Sequence, residues 1–169
     1  MIQPHELLAT DEPEDLGPLS MQELRSVRER LQEVEFGYSY ARRVVQGRLD
    51  AVLALLEAVD GGTDTIAELS AAMAGHIKGP GMPRPPQALL PPDWADDLLE
   101  DLNATLPIDD LGHLAEMERT ELVDVAGRIS TIERDLSETR AKLHTRIERV
   151  QAELISRYRE GAGVDDLLS

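Results

Sequence analysis

Counted in alternating steps of three and four from Leu24, the chain presents Val27, Leu31, Val34, Tyr38, Ala41, Val45, Arg48, Val52, Leu55 and Val59. Ten of these eleven positions are apolar or aromatic, over five heptads, and that period predicts a coiled-coil helix. Arg48 is the exception. The start is signalled by Ser20 with Glu23 three residues on, a capping box, and the end by Gly61-Gly62, with no proline between. The first long helix is therefore expected over 20–60.

A second seam runs through Leu122, Val125, Ile129, Ile132, Leu136, Thr139 and Leu143. After one slip it continues with Ile147, Val150 and Leu154, ahead of Gly161 and Gly163. This predicts a second long helix over 111–160. Between the two, 63–77 reads as a short Ala-rich helix with Ile66, Leu69 and Met73 on one face. Residues 78–110 form a Pro-rich acidic linker with room for a short helix over Asp93–Asn103, its apolar residues being Trp94, Leu98, Leu99 and Leu102. From Asp93 to Asp110 there are seven acids and no base, which suits an exposed docking element better than a piece of core. An acidic tail (1–19) and a short C-terminal tail (161–169) complete the chain. The fold class is all-α: two long helices as an antiparallel coiled coil, one or two short helices, and a Pro-rich linker. Antiparallel pairing within one chain is the first expectation and a parallel homodimer the alternative.

Composition narrows the function classes. Aromatic residues are 3% of 169 and charged residues 30%, which fits helix seams better than a thick globular core. The net charge of −16 (33 acids, 17 bases) disfavours direct DNA binding and favours a basic protein partner over nucleic acid. Cysteine is absent, so disulfides, thiol catalysis and cysteine-ligated zinc are excluded. The four histidines (His5, His76, His113, His144) lack metal-ligand spacing, and no glycine-rich phosphate loop follows a strand. No enzyme activity is expected. Neither a signal peptide nor a membrane span is read, and a cytoplasmic location is the expectation.

A polar stripe beside each seam carries more information. Glu35, Ser39, Arg42, Gln46 and Asp50 are spaced 4, 3, 4 and 4, and four of them lie one residue after a seam position. They fall within an arc of roughly 80° and a length of about 22 Å. Glu133, Ser137, Arg140, His144 and Glu148 repeat the spacing, each one residue after the second seam. Three identities match, Gln46 is replaced by His144, and Asp50 by Glu148. Polar residues flanking a heptad seam are ordinary, but a serine repeated in the same register between Glu and Arg is not. On antiparallel helices the two copies are related by an approximate two-fold axis, which suits a ligand with two-fold symmetry. The chemistry suits a guanine nucleotide. Arg presents a fork to guanine O6 and N7 or to phosphate, and a carboxylate accepts from N1–H and N2–H₂. Arg43, Arg48, Lys142 and Arg146 lie near enough in sequence to offset phosphate charge, which gives Arg48 one reason to sit in a seam; snorkelling at its edge is the simpler one.

At these residues the chain resembles the RsiG anti-sigma factors of actinobacteria, whose mark is E-x3-S-x2-R-x3-Q-x3-D on long helices. Glu35, Ser39, Arg42, Gln46 and Asp50 match it throughout; the second copy matches at three positions. The resemblance implies that the paired helices bind cyclic di-GMP as a stacked dimer. It also implies that the loaded protein holds a WhiG-type sigma factor, of the flagellar class, away from RNA polymerase, repressing sporulation genes. A ligand-free scaffold coiled coil and a DNA-binding helical regulator are the readings from other classes.

Overall fold

The computed structural model describes residues 15–61 and 92–160. The expected helix over 63–77, the Pro-rich stretch through 91, most of the N-terminal tail and the tail 161–169 lie outside the described residues. Within them the chain is all-α, with no strand. Helix α1 covers Met21–Gly61, a short α2 covers Glu100–Thr105, and α3 covers Arg119–Arg159. Two 3-10 segments, Asp93–Leu99 and Ile108–Glu116, flank α2.

The capping box forms as the sequence predicts. The Ser20 N–H donates to Glu23 Oε2 at 2.7 Å, and the Glu23 N–H donates to Ser20 Oγ at 3.2 Å. Each satisfies a donor that the first turn of a helix leaves without an intrahelical partner.

The chain divides into two compact units, one of residues up to Tyr40 and from Leu136, the other of Ala41–Asp135. In the first, the N-terminal half of α1 packs against the C-terminal half of α3. Leu24, Leu31, Val34 and Tyr38 are buried there with Leu136, Leu143, Val150 and Leu154. Pairing is antiparallel: Arg25 meets Tyr158, whereas the later Glu35 meets the earlier Arg140. Arg157 ties down the chain ahead of α1 by donating to the carbonyls of Leu16 (2.8 Å), Gly17 (3.1 Å) and Leu19.

In the second unit, Ala41, Val45, Val52 and Leu55 of α1 are buried together with Leu122, Ala126 and Ile129 of α3. Pairing is antiparallel here too: Arg42 meets Glu133, and Asp60 takes a two-pronged bond from Arg119 at 2.6 and 3.0 Å.

Three expectations change in this unit. The segment expected to be an exposed docking element is core. Ala95, Leu99, Leu102 and Leu106, spaced 4, 3 and 4, are all at most 5% exposed, while the acids between them face out. That spacing is a helical period, and it buries one face whatever the charge of the other.

The second long helix begins at Arg119 rather than 111. Pro107, the residue after the α2 cap, lacks an amide proton. The following nine residues coil as a 3-10 segment that buries Leu114, and Met117 is extended (φ −76°, ψ 144°), which breaks helical continuity. Glu118 then opens α3: its carbonyl accepts from the Leu122 N–H at 3.0 Å, and its own N–H donates to Glu121 Oε2 at 3.0 Å.

Arg48, finally, is neither a snorkelling residue nor a cation held out for phosphate. It is 8% exposed, and its Nη1 donates to the carbonyl of Leu106 at 2.6 Å. Burial pushes its pKa down, and the carbonyl dipole compensates part of that desolvation. The apparent defect in the first seam is the point at which α1 holds the segment joining α2 to α3.

Candidate functional site

The two stripes are distributed between two side-chain clusters, each drawing on both long helices. In the first unit, α1 supplies Glu35 and Ser39 and α3 supplies Arg140 and His144. Glu35 Oε1 accepts from Ser39 Oγ at 2.7 Å and from Arg140 Nε at 2.8 Å, and His144 Nε2 lies 3.1 Å from it. Arg140 Nε is also 2.7 Å from Ser39 Oγ. In the second unit, α3 supplies Glu133 and α1 supplies Arg42 and Gln46. Glu133 Oε1 accepts from Arg42 Nε at 2.9 Å and from Gln46 Nε2 at 3.4 Å.

The same contact is therefore made twice with the helices exchanged. The first residue of one motif accepts from the third and faces the fourth residue of the other. Only an antiparallel register does this, because it alone brings the start of each motif to the middle of its partner. The two-fold relation was expected of antiparallel helices; which residue meets which depends on register, which the sequence did not show. His144 and Gln46 occupy the same place in their clusters, so the replacement keeps the contact to the carboxylate.

The clusters are half-buried. The Glu35 and Glu133 side chains are 18% and 22% exposed, and those of Arg140 and Arg42 are 35% and 31% exposed. Glu35 shows what this environment does to a charge. Burial works to raise its pKa, but the hydrogen bonds from Ser39 and Arg140, with the positive fields of His144 and Arg140, outweigh burial and lower it. The carboxylate is held ionised at neutral pH. Ser137 is half-buried and engaged in further interactions. Asp50 and Glu148, the fifth residue of each motif, are exposed and stand outside both clusters.

Such a cluster offers an ionised carboxylate, a guanidinium and neutral hydrogen-bonding groups on an open helical face, which is recognition chemistry. Among the described residues no group of His, Asp and Glu is placed to hold a metal, and no helix is long and apolar enough to cross a membrane.

An all-α antiparallel helix pair carrying a duplicated polar stripe defines the class. Residues 10–73, which contain the whole first motif, match the family model described as RsiG-like. The match supports an RsiG-type anti-sigma factor. The second motif, on α3, lies beyond the matched region. No curated protein matches the chain.

Proposed function

We propose that this protein is an anti-sigma factor that binds cyclic di-GMP through Glu35, Ser39, Arg42, Gln46 and Asp50 of α1 and Glu133, Ser137, Arg140, His144 and Glu148 of α3. In the loaded state it holds a WhiG-type sigma factor away from RNA polymerase and so represses sporulation genes. The observation that carries this reading is the crosswise repetition of one Glu–Arg contact, flanked by Gln46 in one cluster and by His144 in the other. Two copies of one recognition element suit a ligand made of two identical guanylate halves.

The chemistry follows from the groups present. A guanine edge offers N1–H and N2–H₂ to a carboxylate, and O6 and N7 to a guanidinium. The Glu–Arg pair already sets these two complementary groups side by side, so the base takes the place of a contact that is satisfied without it. The phosphates fall to Ser39, Ser137 and the cations of α3, among them Lys142 and Arg146. Ligand control is linkage: the nucleotide favours the helix pairing whose register forms the clusters, and the sigma factor binds that pairing.

Isothermal titration of cyclic di-GMP into the wild-type, Arg42→Ala and Arg140→Ala proteins tests the site. Loss of binding in both variants is expected, and unchanged affinity removes these residues from it. One observation favours the rival scaffold reading: each arginine is already neutralised by a carboxylate across the helix pair. Thermal melts separate the two, since a ligand at 100 times its Kd stabilises by about 2.7 kcal/mol and a bare scaffold shows no shift.

A further inference from the structure

The repeat that creates the two clusters extends beyond the five-residue motifs, and there the two halves of the molecule diverge. A residue of the α1 stripe corresponds to the α3 residue 98 positions later, as Glu35 does to Glu133. By that offset Leu53 corresponds to Gln151, and Arg25 to Val123. Each lies one residue after a buried seam residue, as the stripe does: Leu53 after Val52, Val123 after Leu122. The first unit therefore has Arg25 and Gln151 at these flanking positions, and the second has Leu53 and Val123. The two apolar side chains are 47% and 44% exposed.

Leu53 lies two turns beyond Gln46, about 10 Å along α1. Val123 sits opposite it in the register fixed by Arg42–Glu133 and Asp60–Arg119. The face bearing the second cluster thus runs, past the exposed Asp50, to a short strip of two exposed apolar side chains. Val59 and Ile108, at 49% and 66% exposure, belong to the same unit.

Charge divides in the same way. Among the described residues the first unit has nine acids and nine Lys or Arg, and the second has sixteen acids and six Arg. The excess acidity of the described chain is carried by the unit that also exposes the apolar strip. Glu57 and Asp124, both exposed, flank Leu53 and Val123.

We propose that this strip of the second unit, Leu53 and Val123 with Glu57 and Asp124 at its edge, is the docking surface for a basic amphipathic helix of the protein partner. The acidic surround disfavours a second copy of this chain, which would bring like charge onto like, and attracts a cationic helix. Leu53 and Val123 gain free energy when a partner covers them, because their apolar surface is then removed from water. Because Leu53 lies about 10 Å along α1 from Gln46, a helix of three or more turns that runs from the strip along α1 reaches the Arg42–Gln46–Glu133 cluster. Partner affinity then depends on what the cluster holds. The proposal deepens the anti-sigma reading and rests on it.

The test uses the full chain, cyclic di-GMP and a purified WhiG-type sigma factor. The double variant Leu53→Ser, Val123→Ser should bind the sigma factor about tenfold or more weakly, the loss typical of removing interface anchors, with nucleotide affinity unchanged. Glu57→Lys with Asp124→Lys should slow association and flatten its salt dependence. Ile155→Ser, exposed in the first unit, serves as the control and should leave sigma binding as it was. Full sigma affinity in the serine double variant overturns the proposal while leaving the anti-sigma reading intact. Sedimentation showing a wild-type dimer that the serine variant dissociates also overturns it, by assigning the strip to self-association. If the wild-type protein fails to bind the sigma factor with nucleotide present, the anti-sigma reading itself falls and takes the docking surface with it.

Discussion

Gly47 and Gly127 sit inside the two long helices, and a Cβ added at either meets nothing within 4 Å. Glycine in a helix interior is about 1 kcal/mol less favourable than alanine, because it loses more backbone freedom on folding. With no steric cost to set against that, Gly47→Ala and Gly127→Ala should each stabilise the fold by about 1 kcal/mol, and together by about 2 kcal/mol if they act independently. For a chain of this size about 1 kcal/mol moves the melting temperature by roughly 2–4 °C, so the double variant should melt roughly 4–8 °C higher. Circular dichroism at 222 nm followed through heat and urea measures this, and the urea slope should stay constant while the midpoint rises. Gly17→Ala is the internal contrast: a Cβ there would lie 2.9 Å from Asp15 Oδ1, so no gain is expected. A double variant that melts at or below the wild-type temperature refutes the reasoning, because it requires a neighbour where the structure has open space.

Leu102→Ala should cost about 2–5 kcal/mol in urea melts, since Leu102 is fully buried; a cost near zero would return its segment to the role of an exposed docking element. Arg48→Ala should destabilise by about 2–3 kcal/mol by leaving the Leu106 carbonyl without its donor, and a neutral result would show that the bond in the structure carries no weight. The lowered pKa of Glu35 implies stability that is fully present above the ordinary glutamate value of 4.5 and is lost as the pH falls through the depressed native value. Urea midpoints recorded from pH 7 to pH 2 should therefore fall less steeply in Glu35→Gln than in the wild type, and parallel curves would refute the assignment.

The long helices were legible because their signals are local. Ser20 and Glu23 cap α1 as the sequence indicates, and nine of the eleven α1 seam positions are buried, Val27 being half-buried and Val59 exposed. The segment from Asp93 is helical where a short helix was expected, but its exposure was misjudged because its acids outweighed its period: Ala95, Leu99, Leu102 and Leu106 recur at helical spacing. The start of α3 at Arg119 was missed for a different reason. Glu118 is not a favoured capping residue, and the extended Met117 that separates the 3-10 segment from α3 has no clear marker in the sequence. The stripes were found residue by residue, but their crosswise pairing depends on register, which a single sequence does not contain.

Register is where Arg48 has its widest consequence. A heptad seam is nearly indifferent to sliding by seven residues, because one apolar position then faces the next and little burial is lost. In the second unit such a slip would part Glu133 from Arg42 and dismantle that cluster while the hydrophobic contacts survived. A lone guanidinium among aliphatic seam residues restricts that freedom in the second unit, where it holds α1 to the segment that leads into α3. It is satisfied where the Leu106 carbonyl lies, and displacement by one heptad strands a buried charge. The residue that makes the seam imperfect thereby acts as a vernier mark for this unit, penalising slipped alignments that a uniform row of leucine and valine would tolerate.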